Sequence, residues 1–398
     1  MSDPYASCPT FQSRAKLHEQ AEQCPVFYEP ETLEHFVTRY DDVVTLLTDP
    51  RMQVARPSDP LVDAMPAERR EIQRRANEFF TWWPNALDGP THEAIRSALA
   101  TAFSRRHLEP VLASARQRAH ALLDDLSHNT GSVSWTDDFA GPLVRHVLAA
   151  LLGVTEDQMR LLMDSIDRML DFLGAGEDRN DDSARRTIIA VDRFTATLSD
   201  VLASATGRLS ADLREMAAAP GLGLQIAAAT AAQIISGAFV PVNTALSEGV
   251  MFWRQWRADG RSSDGAVRAA DLVEETLRLS VPFRIVVRYP TEPITVGGTT
   301  IGAQERVTLT IGSANVDERR FPDALAFRPD VSRRGHLTFG RGPHHCPGAR
   351  LARTMVAAMF TWLLENDAEI DIDVSSVDAT SATKFAHFYQ LKVWFGAP

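Results

Sequence analysis

The sequence predicts a mainly α-helical protein with a minor β-sheet, and three observations lead there. Apolar residues at helical spacing dominate the first 280 positions. β-Branched stretches punctuated by glycine gather between 284 and 311. The 398 residues are 44% hydrophobic and 23% charged, enough apolar mass for a large core.

In chain order, MSDPYASCPTFQSRAKLHEQ has neither a basic start with an apolar run nor an Arg/Ser-rich amphipathic pattern, so no secretory or organellar signal is expected. Asp41 to Leu47 opens a helix with paired acids, and Pro57 to Pro90 reads as loop. Pro110 to Leu126, Leu143 to Leu152 and Ile188 to Leu202 show helical spacing, and the polar Gly174 to Ser183 separates the last two. Met216 to Ser247 carries no formal charge and is long enough to span a bilayer. Gln225, Gln233, Asn243, Pro220 and Pro241 interrupt it, so it reads as a helix buried through a protein core. Arg284 to Arg288 is a strand, and Ile294–Val296, Gly297-Gly298, Thr299–Ile301 and Arg306–Ile311 read as a small hairpin turning at the glycine pair. Met355 to Leu364 is again helical. No internal repeat and no linker composition appears, so residues 1–398 are expected to form a single domain.

Lys+Arg 41 against Asp+Glu 52 gives a net charge of -11, which argues against a nucleic-acid or anionic-membrane binder. Three cysteines, Cys8, Cys24 and Cys346, are too few for a disulfide framework and point to a reducing, cytoplasmic setting. Cys346 stands out. The stretch Phe339-Gly340-Arg341-Gly342-Pro343-His344-His345-Cys346-Pro347-Gly348 delivers it to a helix start, with Pro347 at the expected first helical position. There the unpaired N–H groups favour thiolate over thiol, making the sulfur a metal ligand or a nucleophile. An inert buried cysteine beside a turn is the plainer reading of that residue taken by itself.

The spacing Phe-Gly-x-Gly-x-His-x-Cys-x-Gly is matched at all six fixed places, and here the chain resembles the haem-thiolate cytochrome P450 family. The resemblance runs over essentially the whole chain and implies a triangular-prism-like helical domain holding haem b. It implies Cys346 as the iron ligand, with Phe339, Gly340 and Gly348 shaping the loop against the haem and His344 partnering a propionate. Glu275-Thr276-Leu277-Arg278 would by itself be an ordinary helix ion pair. Upstream of this loop it is similar to the family's fold-defining Glu/Arg pair. His92 and Arg96 share a helical face, and with Arg288 they resemble the family's propionate partners.

The chain departs from the family at two places. Val331 stands where an arginine usually completes the Glu/Arg pair, leaving Arg328, Arg333 or Arg334 to compensate, or a brace of two members. In Ser236-Gly237-Ala238-Phe239-Val240-Pro241-Val242-Asn243-Thr244, Val240 and Pro241 replace the usual acid and threonine that relay protons. Pro241 also leaves the Gly237 carbonyl without its intrahelical donor and is expected to kink the helix. Three readings stay open: hydroxylation with Asn243, Thr244 or water delivering protons; coupling or ring closure with substrate supplying the proton; and peroxide as oxidant. Peroxygenases of the family with a proline here carry an arginine before it, where this chain has Val240.

The resemblance places a substrate cavity among Trp82, Trp83, Phe239, Val240, Phe283, Ile285, Val286 and the turn at His387-Phe388, with Arg284 available to an acidic group. These suit a lipophilic or aromatic small molecule, as in specialised-metabolite biosynthesis. Arg105, Arg106, Arg116, Arg118, Arg333, Arg334, Arg341, Arg350 and Arg353 resemble a docking face for an acidic ferredoxin or flavodoxin. No flavin or nicotinamide fingerprint is evident in the sequence. The rival from another class is a non-catalytic haem sensor or carrier.

Overall fold

The computed structural model describes residues 15–19, 22–55, 65–129, 131–174, 180–259, 267–366, 371–381 and 386–396. In chain order the elements are β1 (Val26–Glu29), β2 (Glu34–Val37), α1 (Tyr40–Thr48), β3 (Met52–Gln53), α2 (Ala67–Thr81), α3 (Gly89–Ala100), α4 (Arg105–Ser127) and β4 (Ser132–Ser134). Next come α5 (Gly141–Leu152), α6 (Glu156–Gly174), α7 (Asp181–Ser204), α8 (Arg208–Ala218), α9 (Gly223–Ala258) and α10 (Ala269–Leu279). The chain continues with β5 (Val286–Pro290), β6 (Ile294–Val296), β7 (Thr299–Ile301), β8 (Arg306–Leu309), α11 (Ile311–Ala314), α12 (Ala349–Glu365), β9 (Asp371–Ser381) and β10 (Ala386–Gly396). Helices dominate and the sheet content is small, as the patterning predicts.

Two compact units divide the chain, both discontinuous in sequence: residues 1–52, 112–144 and 240–398 form the first, and 53–111 and 145–239 the second. In the first, the sheet order is β1-β2-β8-β5-β3, with β2 and β8 parallel and β5 antiparallel to β8. Alternation along β8 puts Val307 and Leu309 into a core with Val37, Leu46, Ile301, Phe321 and Leu337. Burying some twenty such side chains, at ~1.5–3 kcal/mol each, contributes part of what offsets the entropy of ordering this unit. β9 and β10 pair antiparallel, and β4 joins them on the other edge of β10.

The second unit is helical. α7 lies against α6 and α2, and α8 against α3. Aromatic contacts join them: Phe79 meets Phe194 at 6.5 Å and Phe80 stacks on Phe172 at 6.2 Å between ring centroids. Two buried or half-buried carboxylates fix α3 at both ends. Asp88 accepts the N–H groups of Val54 and Ala55 at 2.8 Å each, and the buried Asp212 accepts that of Ala102 at 3.1 Å while pairing with Arg208.

Several elements differ from expectation. The Pro57–Pro90 stretch contains α2, whose charged AERREIQRR surface hides an apolar seam of Ala76, Phe79 and Phe80 that is buried. Residues 57–64 of that stretch lie outside the described residues. The strand expected at Arg284–Arg288 begins at Val286, because the Arg284 carbonyl accepts the Gly312 N–H at 3.0 Å outside the ladder. β6 and β7 form the hairpin at the glycine pair, but β8 leaves it to join the larger sheet. α4 starts at Arg105, so Pro110 lies within it on an exposed position. The polar 174–183 segment is helical to Gly174 and again from Asp181, where Asn180 and Ser183 form a reciprocal cap; residues 175–179 lie outside the described residues. The uncharged stretch from Met216 is split: α8 ends at Ala218 and α9 starts at Gly223. α9 is long and apolar enough to cross a bilayer, yet its residues 226–232 and 242–253 are buried in protein, as in a core helix.

Candidate functional site

The cysteine loop enters from the core of the first unit and is tied at successive positions. Gly340 N–H donates to the Leu337 carbonyl at 2.8 Å, Cys346 N–H to the Phe339 carbonyl at 2.9 Å, and His345 N–H to that of Gly342 at 3.1 Å. Gly340 and Gly342 have φ of 65° and 70°, the left-handed region. A Cβ on Gly342 would also lie 2.8 Å from the Leu47 carbonyl oxygen, so only glycine fits. α12 begins at Ala349 with Gly348 as its N-cap, so Pro347 precedes the helix and does not occupy its first position. The half-buried Cys346 is within one turn of that N-terminus and forms no disulfide.

Beneath the loop, the Glu275/Arg278 pair is an internal brace and not a surface ion pair: the two side chains are 2% and 0% exposed. Arg278 donates to both Glu275 oxygens at 2.8 Å, and to the Asn315 and Ala324 carbonyls at 2.8 and 2.7 Å. The missing third arm is supplied by Arg333, whose Nη1 reaches Glu275 Oε1 at 3.1 Å and Ala326 O at 3.0 Å, while Nη2 donates to Pro322 O. Arg328 contributes its backbone N–H to Glu275 at 2.9 Å, its guanidinium being paired with Asp330. Val331 points elsewhere, 42% exposed. Arg333 is therefore interior, which removes it from the expected arginine-rich docking face; Arg334 remains exposed.

The sequence reading missed two connections. Buried Asn315 accepts Leu337 N–H at 2.7 Å and donates to Thr338 Oγ1 at 2.9 Å and to the Arg278 carbonyl at 3.1 Å, coupling brace to loop. Glu274, beside the brace, takes Arg353 Nε at 2.6 Å and lies 3.4 Å from buried His336 Nε2. Burial pushes the Glu274 carboxyl up, but the hydrogen bonds and charge of its partners outweigh this and hold it at about 2. Burial lowers His336, so it is neutral near pH 7 and Arg353 carries the opposing charge. The doubled acid in Glu274-Glu275 was the available signal.

Arg288 is buried on β5, donating to its neighbour's carbonyl at 2.9 Å, and His344 is half-buried at the end of the turn Gly342–His344. His92 and Arg96 belong to the second unit, one helical turn apart on α3; burial and the Arg96 charge lower His92, leaving it neutral near pH 7. α9 runs unbroken through Pro241, so the ring is accommodated without ending the helix. Between its two buried stretches, Gly237 is exposed and Ala238, Phe239, Val240 and Pro241 are half-buried. A Cβ added to Gly237 would meet nothing within 4 Å. Asn243 and Thr244 are buried; Thr244 Oγ1 donates to the Val240 carbonyl at 3.0 Å and Asn243 Oδ1 accepts Ser247 Oγ at 3.4 Å.

Of the other expected cavity residues, Phe283 is 51% exposed, Ile285 and Val286 are half-buried, and Arg284 is buried. Trp83 packs within the second unit and Trp82 caps α2; neither indole N–H has a partner among the described residues. His387 and Phe388 belong to β10, with side chains outside the described residues.

These residues fit a tetrapyrrole. The thiol sits on a loop whose glycines keep side-chain bulk away: a Cβ on Gly348 would come to 3.8 Å from Sγ. Arg288 and His344 offer donors for carboxylates. Fold and loop together define the haem-thiolate class.

The comparisons agree. The Cytochrome P450 family profile matches residues 270–368. Cytochrome P450 130 of Mycobacterium tuberculosis is 31% identical over 301 residues, covering 73% of this chain and 72% of that protein. The 6-deoxyerythronolide B hydroxylase of Saccharopolyspora erythraea is 28% identical over 356 residues, covering 86% and 85%. The structure of P450BioI bound to an acyl-loaded acyl carrier protein superposes with a TM-score of 0.83 at 21% identity, covering 97% of this chain and 99% of that one. The chain belongs to the cytochrome P450 family. It is a haem b monooxygenase with the P450 fold.

Proposed function

We propose that this P450 acts as a single-domain, cytoplasmic enzyme that oxidises a lipophilic or aromatic intermediate of specialised metabolism, with Cys346 as the iron ligand. Bound there, haem supplies activation of dioxygen for insertion into a substrate bond. Cys346 is kept as thiolate by the helix N-terminus, Arg288 and Arg96 offset the propionate charge, and His344 and the neutral His92 hydrogen-bond to the propionates. The setting is supported by relatives whose names describe a 6-deoxyerythronolide B hydroxylase, a mycinamicin IV hydroxylase/epoxidase and a pentalenolactone synthase.

The observation that carries the distal assignment is the accessible strip 237–241 with no titratable side chain in it. Val240 and Pro241 have no proton to give, and Thr244 turns its hydroxyl back onto the Val240 carbonyl. The Gly237 carbonyl lacks the donor that a residue other than proline at 241 would supply, so it accepts a hydrogen bond from water or from a substrate hydroxyl. Proton delivery therefore runs through that water or hydroxyl. Phe239, Val240, Phe283, Ile285 and Val286 are the substrate-contacting residues. Electrons arrive from a ferredoxin on a face carrying Arg116, Arg334, Arg341 and Arg350.

Ligands that shift the Soret band identify the substrate class, and turnover is then compared with a ferredoxin/reductase pair and with hydrogen peroxide. Product with the ferredoxin system is expected. Product with peroxide alone overturns the oxidant assignment, and none with either favours a sensor or carrier.

A further inference from the structure

Glu274 is absorbed by none of the roles above, and Arg353 only as one arginine of the expected docking face. Arg353 projects from the second turn of α12, its guanidinium carbon 4.5 Å from the centroid of the Phe339 ring. Phe339 is the residue whose carbonyl accepts the Cys346 N–H at 2.9 Å. Glu274 on α10 binds the edge of the same guanidinium, at 2.6 Å to Nε and 3.3 Å to Nη2. Buried His336 completes the enclosure, with its ring centroid 5.9 Å from that of Phe339. Its Nδ1 accepts the Thr338 N–H at 3.3 Å, so the imidazole also fixes the approach to the loop.

A cation is thus held over an aromatic face by a carboxylate, and that aromatic residue is hydrogen-bonded to the cysteine backbone. The Arg353 side chain is 37% exposed and that of Glu274 28%, so water does not fully screen the pair. As a charge pair it is nearly neutral towards the loop, and removal of either partner leaves the other's charge beside it.

We propose that Glu274 and Arg353 are positioning residues that set the reduction potential of the haem, acting on the Cys346 thiolate through Phe339 and through the balance of their charges. This rests on Cys346 being the ligand. Stripping the carboxylate leaves a net positive charge beside the loop, which favours the more negative reduced state and raises the potential. Stripping the guanidinium leaves a net negative charge and lowers it. Removing both restores the balance.

The test is dithionite titration of the haem-loaded full chain with a mediator dye, comparing wild type with Glu274→Gln, Arg353→Leu and the double variant. The carbonyl adduct of each reduced protein is recorded alongside, to confirm thiolate ligation. Each single variant is expected to change the reduction equilibrium constant about three- to tenfold, tenfold being about 59 mV for one electron. The two move in opposite directions, and the double variant returns to within about threefold of wild type. Arg353→Lys, which keeps the charge but loses the fork, lies closer to wild type than Arg353→Leu. Singles that leave the potential unmoved, or move it in the same direction, with the thiolate band intact, overturn the proposal while leaving Cys346 as ligand. A wild-type protein without the thiolate band instead overturns the ligand assignment on which it rests.

Discussion

Replacing Arg333 by leucine tests whether this chain has rebuilt the third arm of its brace from a neighbouring position. The guanidinium, 5% exposed, makes contacts to Glu275 Oε1 and to the carbonyls of Ala326 and Pro322. Leucine leaves the Pro322 carbonyl without that donor, at ~1–3 kcal/mol, and removes one charge-assisted bond to Glu275 worth ~1.5–3 kcal/mol. Relief of the desolvation of a buried cation offsets part of this. Glu275 keeps Arg278 and the Arg328 N–H, and Ala326 O keeps Arg278 Nη2 at 3.3 Å, so the carboxylate is not abandoned. The net loss is about 2–4 kcal/mol, a large part of the ~5–15 kcal/mol available to a typical domain. Urea unfolding of the haem-loaded protein, followed by Soret absorbance and tryptophan fluorescence, should show a midpoint lower by on the order of 1 M. Arg328→Leu is the control: its side chain pairs with Asp330 near the surface and it reaches Glu275 by its backbone N–H, so its urea midpoint should stay close to that of wild type. An unmoved Arg333→Leu beside a crippled Arg328→Leu would refute the assignment.

Other expectations follow from the same contacts. Glu275→Ala strands two interior arginines and should cost ~3–5 kcal/mol or more, read as loss of soluble haem-loaded protein on expression. Glu274 titrates at about 2 in the folded protein against 4.5 as its ordinary value, so its contribution is present above pH 4.5 and lost as pH falls toward 2. It amounts to about 3 kcal/mol, and the stability gap between wild type and Glu274→Gln should therefore narrow from pH 5 to pH 3 in denaturant titrations. Asp212→Ala leaves the Ala102 N–H and Arg208 without their buried partner and should lower stability by ~1–3 kcal/mol. Pro241→Ala restores the donor for the Gly237 carbonyl; if that carbonyl holds the proton-delivering group, product formed per NADPH consumed should fall while haem loading stays unchanged.

The cysteine loop and the Glu/Arg pair were legible because each is a short local pattern whose spacing carries its chemistry. The hairpin at Gly297-Gly298 was legible for the same reason, since two adjacent residues of positive φ can only turn. Helix α2 was not, because its charged outer face outweighs a seam of a few buried residues, and that seam is revealed only by what packs on it. The sequence does not single out the third arginine for a related reason: Arg328, Arg333 and Arg334 are equivalent in sequence. Backbone direction sends the first to Asp330, buries the second on Glu275 and exposes the third, whose carbonyl accepts Arg320. Asn315 and the Glu274–Arg353 contact join residues 22 to 79 positions apart, a separation no periodicity encodes. Because proline favours the first turn of a helix, the sequence predicts Pro347 at the start of α12; Gly348 instead caps that helix, leaving Cys346 in the loop.

The most direct test of the account is the absorption spectrum of the reduced carbonyl adduct of the haem-loaded protein, recorded for wild type and for Cys346→His. With the Cys346 sulfur on iron, wild type gives the long-wavelength Soret band of thiolate ligation and the histidine variant the shorter-wavelength band of imidazole ligation. A wild-type adduct lacking the long-wavelength band, or a Cys346→His adduct that keeps it, would contradict the account.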